Sequence, residues 1–261
     1  MKKIIAIIAL SIVAFVMFKP SSKDMSNVLR VGTEGGYMPW NGKNSSGKFI
    51  GFEIDLANTI CERTAMTCEF VEQDWDGMIP ALLNNKFDVI MAGMTITDKR
   101  RETIDFSRGY ADTGIAFASI GINNIQSLDQ LKLSLKGKKI GVQSGAIAAQ
   151  FSKKVFTEST IRTYGTQDEL NIDLLAGRID AGTNDTSVWY DLQKKEKSVN
   201  IVSNILTGKN DPMLGEGAGI GIVKGREDLL AKLDKALNEM RIDGTLSALA
   251  QKWFGFDASL R

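Results

Sequence analysis

Short β-branched runs and stretches with helical apolar spacing take turns along this chain, and past residue 122 the alternation begins again. Residues 28–33 form a β-branched run, and residues 52–62 place Ile54, Leu56, Ala57 and Ile60 at helical spacing. A strand at 69–73, a helix at 75–85, a strand at 88–91 and a helix at 98–105 follow. Such alternation predicts an α/β fold, a mainly parallel sheet covered by helices on both faces. The second block reads strand 138–142, helix 146–155, strand 161–163, helix 168–176 and strand 180–183. Between the blocks, 116–122 reads as an extended crossing and 126–133 as a short helix. The stretch 215–223, which holds Gly215, Gly217, Gly219 and Gly221, reads as a second crossing that leads to helices at 227–241 and 244–254. Two crossings predict two lobes on a two-strand hinge. The first lobe is discontinuous, residues 25–112 and 217–261, and residues 113–216 form the inserted second lobe. Closure of the lobes over a ligand is the motion that such a hinge permits.

With 261 residues, 43% of them hydrophobic and 24% charged, the chain has the composition of a soluble globular protein of one large or two small domains. Its 32 basic and 31 acidic residues leave a net charge of +1, so no broad basic field exists to hold a nucleic acid. Histidine is absent, which removes the commonest acid-base group and leaves carboxylates. The glycines of 215–221 are followed by no Lys-Ser/Thr pair and open no helix, which excludes a phosphate loop. The spacing of Gly32, Gly35 and Gly36 does not match a dinucleotide fingerprint. Neither a metal site nor a catalytic triad is legible, and no cofactor is implied.

The N-terminus runs Met1-Lys2-Lys3, an apolar stretch from Ile4 to Phe18, then Lys19-Pro20-Ser21. A basic start, an apolar middle and a polar exit describe a secretory signal. The alternative, a membrane anchor, needs roughly 20 apolar residues, more than are present. A signal over residues 1–24 is therefore expected, with the mature start between Phe18 and Asn27. No cysteine follows the run to carry a lipid. The two cysteines, Cys61 and Cys68, would lie in the exported part, where an oxidising compartment favours pairing. In one continuous helix they would stand about 10.5 Å apart, beyond the roughly 7 Å that a bridge tolerates, so pairing requires the helix to stop between them. Two buried free thiols are the alternative.

Two separated segments suggest an amino-acid pocket. Thr33-Glu34-Gly35-Gly36-Tyr37-Met38-Pro39-Trp40 offers a carboxylate and aromatic faces just after a strand. Ala92-Gly93-Met94-Thr95-Ile96-Thr97-Asp98-Lys99-Arg100-Arg101 offers a guanidinium beside hydroxyls at a strand-to-helix turn. Further markers stand at Gly51-Phe52-Glu53-Ile54-Asp55-Leu56-Ala57, Trp75-Asp76-Gly77-Met78-Ile79-Pro80, Phe87-Asp88-Val89-Ile90-Met91, Ile104-Asp105-Phe106-Ser107, Gly141-Val142-Gln143-Ser144-Gly145 and Asp243-Gly244-Thr245. In this order, from Leu29 to about Phe256, they resemble the periplasmic solute-binding proteins of polar amino-acid ABC importers. The likeness is greatest to the lysine/arginine/ornithine and opine binders.

The resemblance implies a periplasmic monomer that hands a small amino acid to a membrane ABC permease, with a Cys61–Cys68 bridge of the spacing seen in relatives. It also implies the roles of the site residues. Arg100 matches the carboxylate-binding arginine, a role for which a bidentate guanidinium at a helix start is suited; the alternative is an exposed helix arginine, as expected of Lys99 and Arg101. Asp185 matches the aspartate that pairs with the ligand ammonium, with Thr95 Oγ1 and the Gly93 carbonyl as further acceptors, although Asp185 is equally suited to cap a helix. Glu34, Tyr37 and Trp75 match the residues around the distal group, where two rings and a carboxylate would hold a planar cation; core packing is the alternative for the two rings. Gln143 and Ile147 complete the set.

Ala92 and Gly93 stand where lysine-type relatives carry hydroxyls, and Ile147 stands where they carry a threonine. Small residues at 92 and 93 leave room for a bulkier ligand such as octopine or nopaline. Arginine is the first expectation for the ligand, then lysine and ornithine, then an opine. A cyclohexadienyl-dehydratase-like enzyme on the same fold, with Glu34 or Asp185 as its acid, is the contrasting reading.

Overall fold

A computed structural model of the chain describes residues 27–123, 125 and 127–260. The expected signal at 1–24 lies outside the described residues. The first block comprises β1 (Val28–Thr33), a small hairpin of β2 (Gly42–Lys43) and β3 (Phe49–Ile50), α1 (Phe52–Arg63), β4 (Thr67–Glu72), α2 (Met78–Leu83), β5 (Val89–Ile90), α3 (Asp98–Arg101) and β6 (Asp105–Phe106). The second comprises β7 (Ile115–Ser119), α4 (Leu128–Leu135), β8 (Lys139–Gln143), α5 (Ile147–Val155), β9 (Thr160–Tyr164), α6 (Gln167–Leu175), β10 (Ala181–Asp185), α7 (Thr186–Lys195) and β11 (Asn200–Ile201). The chain ends with β12 (Gly221–Ile222), α8 (Glu227–Ile242) and α9 (Thr245–Phe254).

Two five-stranded sheets result, ordered β4-β1-β5-β12-β6 and β11-β7-β10-β8-β9. Each is mixed rather than mainly parallel. β1 runs parallel to β4 and β5, and β8 parallel to β9 and β10, while β12 and β7 run antiparallel to their neighbours. The antiparallel strands are those on which the chain enters the second sheet or returns to the first. Residues 116–119 thus belong to β7, a buried strand of the second sheet, and are not the crossing that the sequence suggested. The helix expected at 98–105 stops at Arg101, and Asp105–Phe106 pairs with β12. At 75–85 the expected helix opens as a 3₁₀ turn, Trp75–Gly77, before α2.

Each sheet is covered on both faces, because its apolar residues are buried on both. On the first, α1, α8 and α9 pack on one side, through Leu56, Ile60, Leu233, Leu237 and Phe254. Met78 and Leu82 of α2 pack with Phe87 and Ile90 on the other side. On the second, α4 and α5 bury Leu131, Leu135 and Phe151, whereas α6 and α7 bury Leu170, Leu174 and Trp189.

Between the sheets, Ala111 and Ala218 pair antiparallel, with Ala218 N donating to Ala111 O at 2.7 Å and Tyr110 N to Ala218 O at 2.8 Å. A third segment joins them, since Asp112 N donates to Ala258 O at 2.9 Å and Leu260 N to Tyr110 O at 3.1 Å. Cys61 and Cys68 are bonded, with their Cα atoms 5.9 Å apart. The helix does stop between them: α1 ends at Arg63, and Ala65 takes a left-handed φ of 54° so that Met66 N reaches back to Cys61 O.

Candidate ligand-binding site

The strand ends of the two sheets face one another across a cleft, the position at which α/β folds hold ligands. A cavity with an empty volume of about 360 Å³ lies there. All ten residues singled out in the sequence line it: Glu34, Tyr37, Trp75, Ala92, Gly93, Thr95, Arg100, Gln143, Ile147 and Asp185. Ile115, Ala146, Ala148 and Asn184 line it as well.

Glu34 follows β1 directly and is 8% exposed. Gln143, the last residue of β8, donates its Nε2 to Glu34 Oε1 at 2.8 Å from the opposite sheet, and the same nitrogen lies 3.5 Å from Gly165 O. Burial pushes the Glu34 carboxyl up to about 7, and the Gln143 amide offsets this only in part. Asp74, Asp168 and Glu53 face it and push in the same upward direction.

Arg100 lies in α3, whose N-cap Thr97 accepts from Arg100 N at 3.3 Å. Its Nη1 donates to Thr95 O at 2.7 Å, and the guanidinium stands 5.2 Å from the centre of the Trp75 ring. Arg100 is therefore turned into the cleft, whereas Lys99 and Arg101 are exposed and Arg101 pairs with Glu216. Burial lowers its pKa to about 10, partly opposed by Asp185. The Trp75 ring meets this guanidinium as well as the cavity, so it is not a simple packing residue.

Asp185 closes β10 and occupies the N-cap position of α7, but its side chain makes no cap hydrogen bond. The carboxylate is thereby left to the cleft. Burial pushes it up to about 7, with the Tyr37 hydroxyl and Arg100 drawing it back. Tyr37 donates its hydroxyl to Asn184 Oδ1 at 2.7 Å, and Asp185 N donates to the same oxygen at 2.8 Å. Asn184 Nδ2 donates in turn to Gln167 Oε1. Helix α5 starts at Ile147 behind Ala146 with no side-chain cap. The first amides of such a helix point outward without intrahelical partners.

Two glycines matter here. At Gly93 (φ 62°) a Cβ would lie 2.9 Å from Tyr37 Cε1. The space expected beside Gly93 is thus taken by the Tyr37 ring and is not spare room for a larger ligand. At Gly145 (φ 65°) a Cβ would meet Asp76 Oδ1 at 3.0 Å and Trp75 Nε1 at 3.3 Å, across the cleft from β8. Glycine there lets the lobes approach.

The sequence reading missed Glu53 as a site component. This α1 carboxylate is fully buried and receives Gly93 N at 2.7 Å, Asn41 Nδ2 at 2.8 Å and the Tyr110 hydroxyl. It fixes the Gly93 turn from behind. The available signal was a carboxylate among the buried positions Phe52, Ile54, Leu56 and Ala57 of an otherwise apolar helix face. Asn184 was also missed, although it adjoins Asp185.

Comparison with known proteins finds relatives over most of the chain. The family model "Bacterial extracellular solute-binding proteins, family 3" matches residues 29–256. The L-arginine-binding protein of Pseudomonas aeruginosa is 35% identical, covering 97% of this chain and 95% of that protein. The lysine/arginine/ornithine-binding periplasmic protein of Escherichia coli is 34% identical, covering 98% of each. Among solved structures, an ancestral arginine-binding protein bound to glutamine superposes with a TM-score of 0.79 at 40% identity, covering 88% of this chain and 99% of that one. An ancestral amino-acid-binding protein, a precursor of cyclohexadienyl dehydratase, superposes at 0.78 with 34% identity over 88% and 96%.

Proposed function

The chain belongs to the bacterial extracellular solute-binding proteins, family 3, and on that premise we propose that it captures a cationic amino acid in its interlobe cleft, arginine first and lysine or ornithine behind it. It works in the periplasm as a monomer, after removal of an N-terminal signal, and delivers the ligand to an ABC permease. The lobes are residues 25–112 with 217–261, and 113–216. The observation that carries the reading is the convergence in one cavity of a single guanidinium, Arg100, with two carboxylates, Asp185 and Glu34.

In this reading Arg100 and the first amides of α5 at Ile147 and Ala148 hold the ligand carboxylate. Asp185, the Thr95 hydroxyl and the Gly93 carbonyl take the ammonium. Glu34, Tyr37, Trp75 and Gln143 surround the distal group, and Ala92 floors the pocket. Each charged ligand group then has a buried partner, as burial demands. An opine is placed behind the plain amino acids because the Tyr37 ring fills the space beside Gly93.

Binding needs no chemistry, and the relatives above are named for binding. The likeness to a dehydratase precursor gives the enzyme reading its one support, with Glu34 or Asp185 as a near-neutral acid. A thermal-shift screen of refolded protein against the amino acids, ornithine, octopine and nopaline tests the proposal. A ligand at 100 times its Kd adds about 2.7 kcal/mol of stability. A shift with arginine and its cationic relatives is expected. Turnover of prephenate or arogenate, with no shift by arginine, would replace the binder with the enzyme.

A further inference from the structure

We infer that the Glu34–Gln143 pair makes this cleft a receptor for uncharged ureido amino acids, of which citrulline is the type, as well as for guanidinium ones, with the proton on Glu34 selecting between them. The inference rests on the reading of the cleft as an amino-acid site and adds a second class of ligand to it.

The Gln143 amide nitrogen donates to Glu34 Oε1 at 2.8 Å and lies 3.5 Å from Gly165 O. That orientation fixes the amide oxygen as the group left to a ligand, and it is an acceptor in every protonation state. The remaining oxygen of Glu34 differs. Ionised, it accepts; protonated, it donates. A guanidinium carries donors only and requires the ionised form. A ureido group has nearly the same plane and size but replaces one donor nitrogen with a carbonyl oxygen. It offers NH2 to Gln143 Oε1 and needs a donor for its oxygen, which protonated Glu34 supplies.

Among the described residues no cation forms an ion pair with Glu34 to fix it in the ionised form. Asp74 ahead of the Trp75 turn, Asp168 on α6 and Glu53 on α1 face it, and all three are acidic. Arg100, the one cation of the lining, acts on Asp185 instead. The carboxyl therefore titrates at about 7, where both forms are present in quantity. Below that pH, arginine binding expels one proton from Glu34 to solvent. Above it, citrulline binding takes one proton up.

Linkage sets the size of the effect. Arginine draws on the ionised fraction of Glu34 and citrulline on the protonated fraction, so the ratio of their association constants rises about tenfold per pH unit. Asp185 titrates in the same range but serves the ammonium of both ligands, and it cancels from the ratio. So does every change in the closing equilibrium.

The test is calorimetric titration of the refolded protein with arginine and with citrulline at pH 6, 7 and 8, in buffers of different ionisation enthalpy. The expected result is binding of both, with the arginine-to-citrulline ratio climbing about a hundredfold from pH 6 to pH 8, proton release with arginine at pH 6 and proton uptake with citrulline at pH 8. In Glu34→Gln the ratio should become flat with pH while citrulline still binds. Arginine binding accompanied by no citrulline binding, or by a ratio that stays constant with pH, overturns the inference and leaves the proposed function standing. Failure of both ligands to bind at any pH overturns the two together.

Discussion

Glu34, buried, and Asp185, half-buried, are carboxylates on opposite sides of one cavity, both pushed up to about 7, yet their surroundings differ in kind. Asp185 sits at the start of α7 with a phenol hydroxyl and a guanidinium that draw its pKa back down, against Asp112 and Glu53 that add to the upward push. Glu34 has an amide for its partner, and the charged groups that act on it, Asp74, Asp168 and Glu53, are acids. The first cluster is built for fixed charges that every amino acid carries. The second holds a charge that the ligand itself must complete. The lesson is that a shared direction of titration says little about role; the partners of each carboxylate decide whether its environment is general or selective.

The most damaging way to break this comparison is Arg100→Ala. It leaves a ligand carboxylate buried against the α5 amides alone, and removal of one member of a buried charge pair costs about 3–5 kcal/mol. Calorimetry should show affinity for all amino acids falling on the order of a thousandfold. Retained affinity would dismiss the carboxylate role.

Asp185→Asn comes next, with an expected loss of roughly a hundredfold for charged and neutral side chains alike, since a charge-assisted bond to the ammonium becomes a neutral one. It also carries a pH signature in the ligand-free protein. The folded state raises this carboxyl from 3.8 to about 7, so between those values the native protein holds a proton that the unfolded chain releases. Stability from this group is therefore full below about pH 4 and is lost as pH rises toward 7. The asparagine variant should lack that component, seen as a smaller fall of the thermal midpoint between pH 4.5 and 7.5. A variant with the same pH profile as wild type would mean that Asp185 is ionised throughout.

Glu34→Gln should sharpen the contrast. Arginine and lysine should weaken by roughly thirtyfold while neutral amino acids change by much less, because the amide keeps the shape and the bond from Gln143 but loses the charge and turns a donor toward the cation. Equal losses across both sets in the same titrations would place Glu34 with the general cluster.

Much of this cleft was legible in the sequence because its residues sit at strand ends and turns, where a motif is short and local. Arg100, Gln143 and Asp185 each end or follow a strand or turn that reads clearly. What escaped depends on long-range pairing. β6 is two residues long, too short for any periodicity, and exists because β12 returns more than a hundred residues later to pair with it. For the same reason the crossing at 116–122 was misplaced: nothing local distinguishes a buried edge-to-edge strand from a linker until its partner β10 is known. Glu53 escaped because its work is to hold Gly93 from behind, a contact between residues 40 apart. Gly93 itself was read for the room it leaves, and only the packed Tyr37 ring shows that the room is filled.

Tyr37→Phe should have the smallest effect and separates closure from recognition. The ring stays against Gly93 and only the hydroxyl is lost, which donates to Asn184 across the cleft and helps to draw down the Asp185 carboxyl. Asn184 Oδ1 keeps Asp185 N as a donor, so no buried acceptor is orphaned and the cost stays near that of one neutral hydrogen bond, about 1 kcal/mol or roughly fivefold in affinity. Because this bond joins the lobes while the ring, which is kept, faces the distal group, the loss should be the same for arginine, lysine and neutral amino acids and should appear in the dissociation rate. A loss confined to cationic ligands would instead assign the hydroxyl to the Glu34 cluster, and the boundary drawn between the two carboxylate environments would have to move to include it.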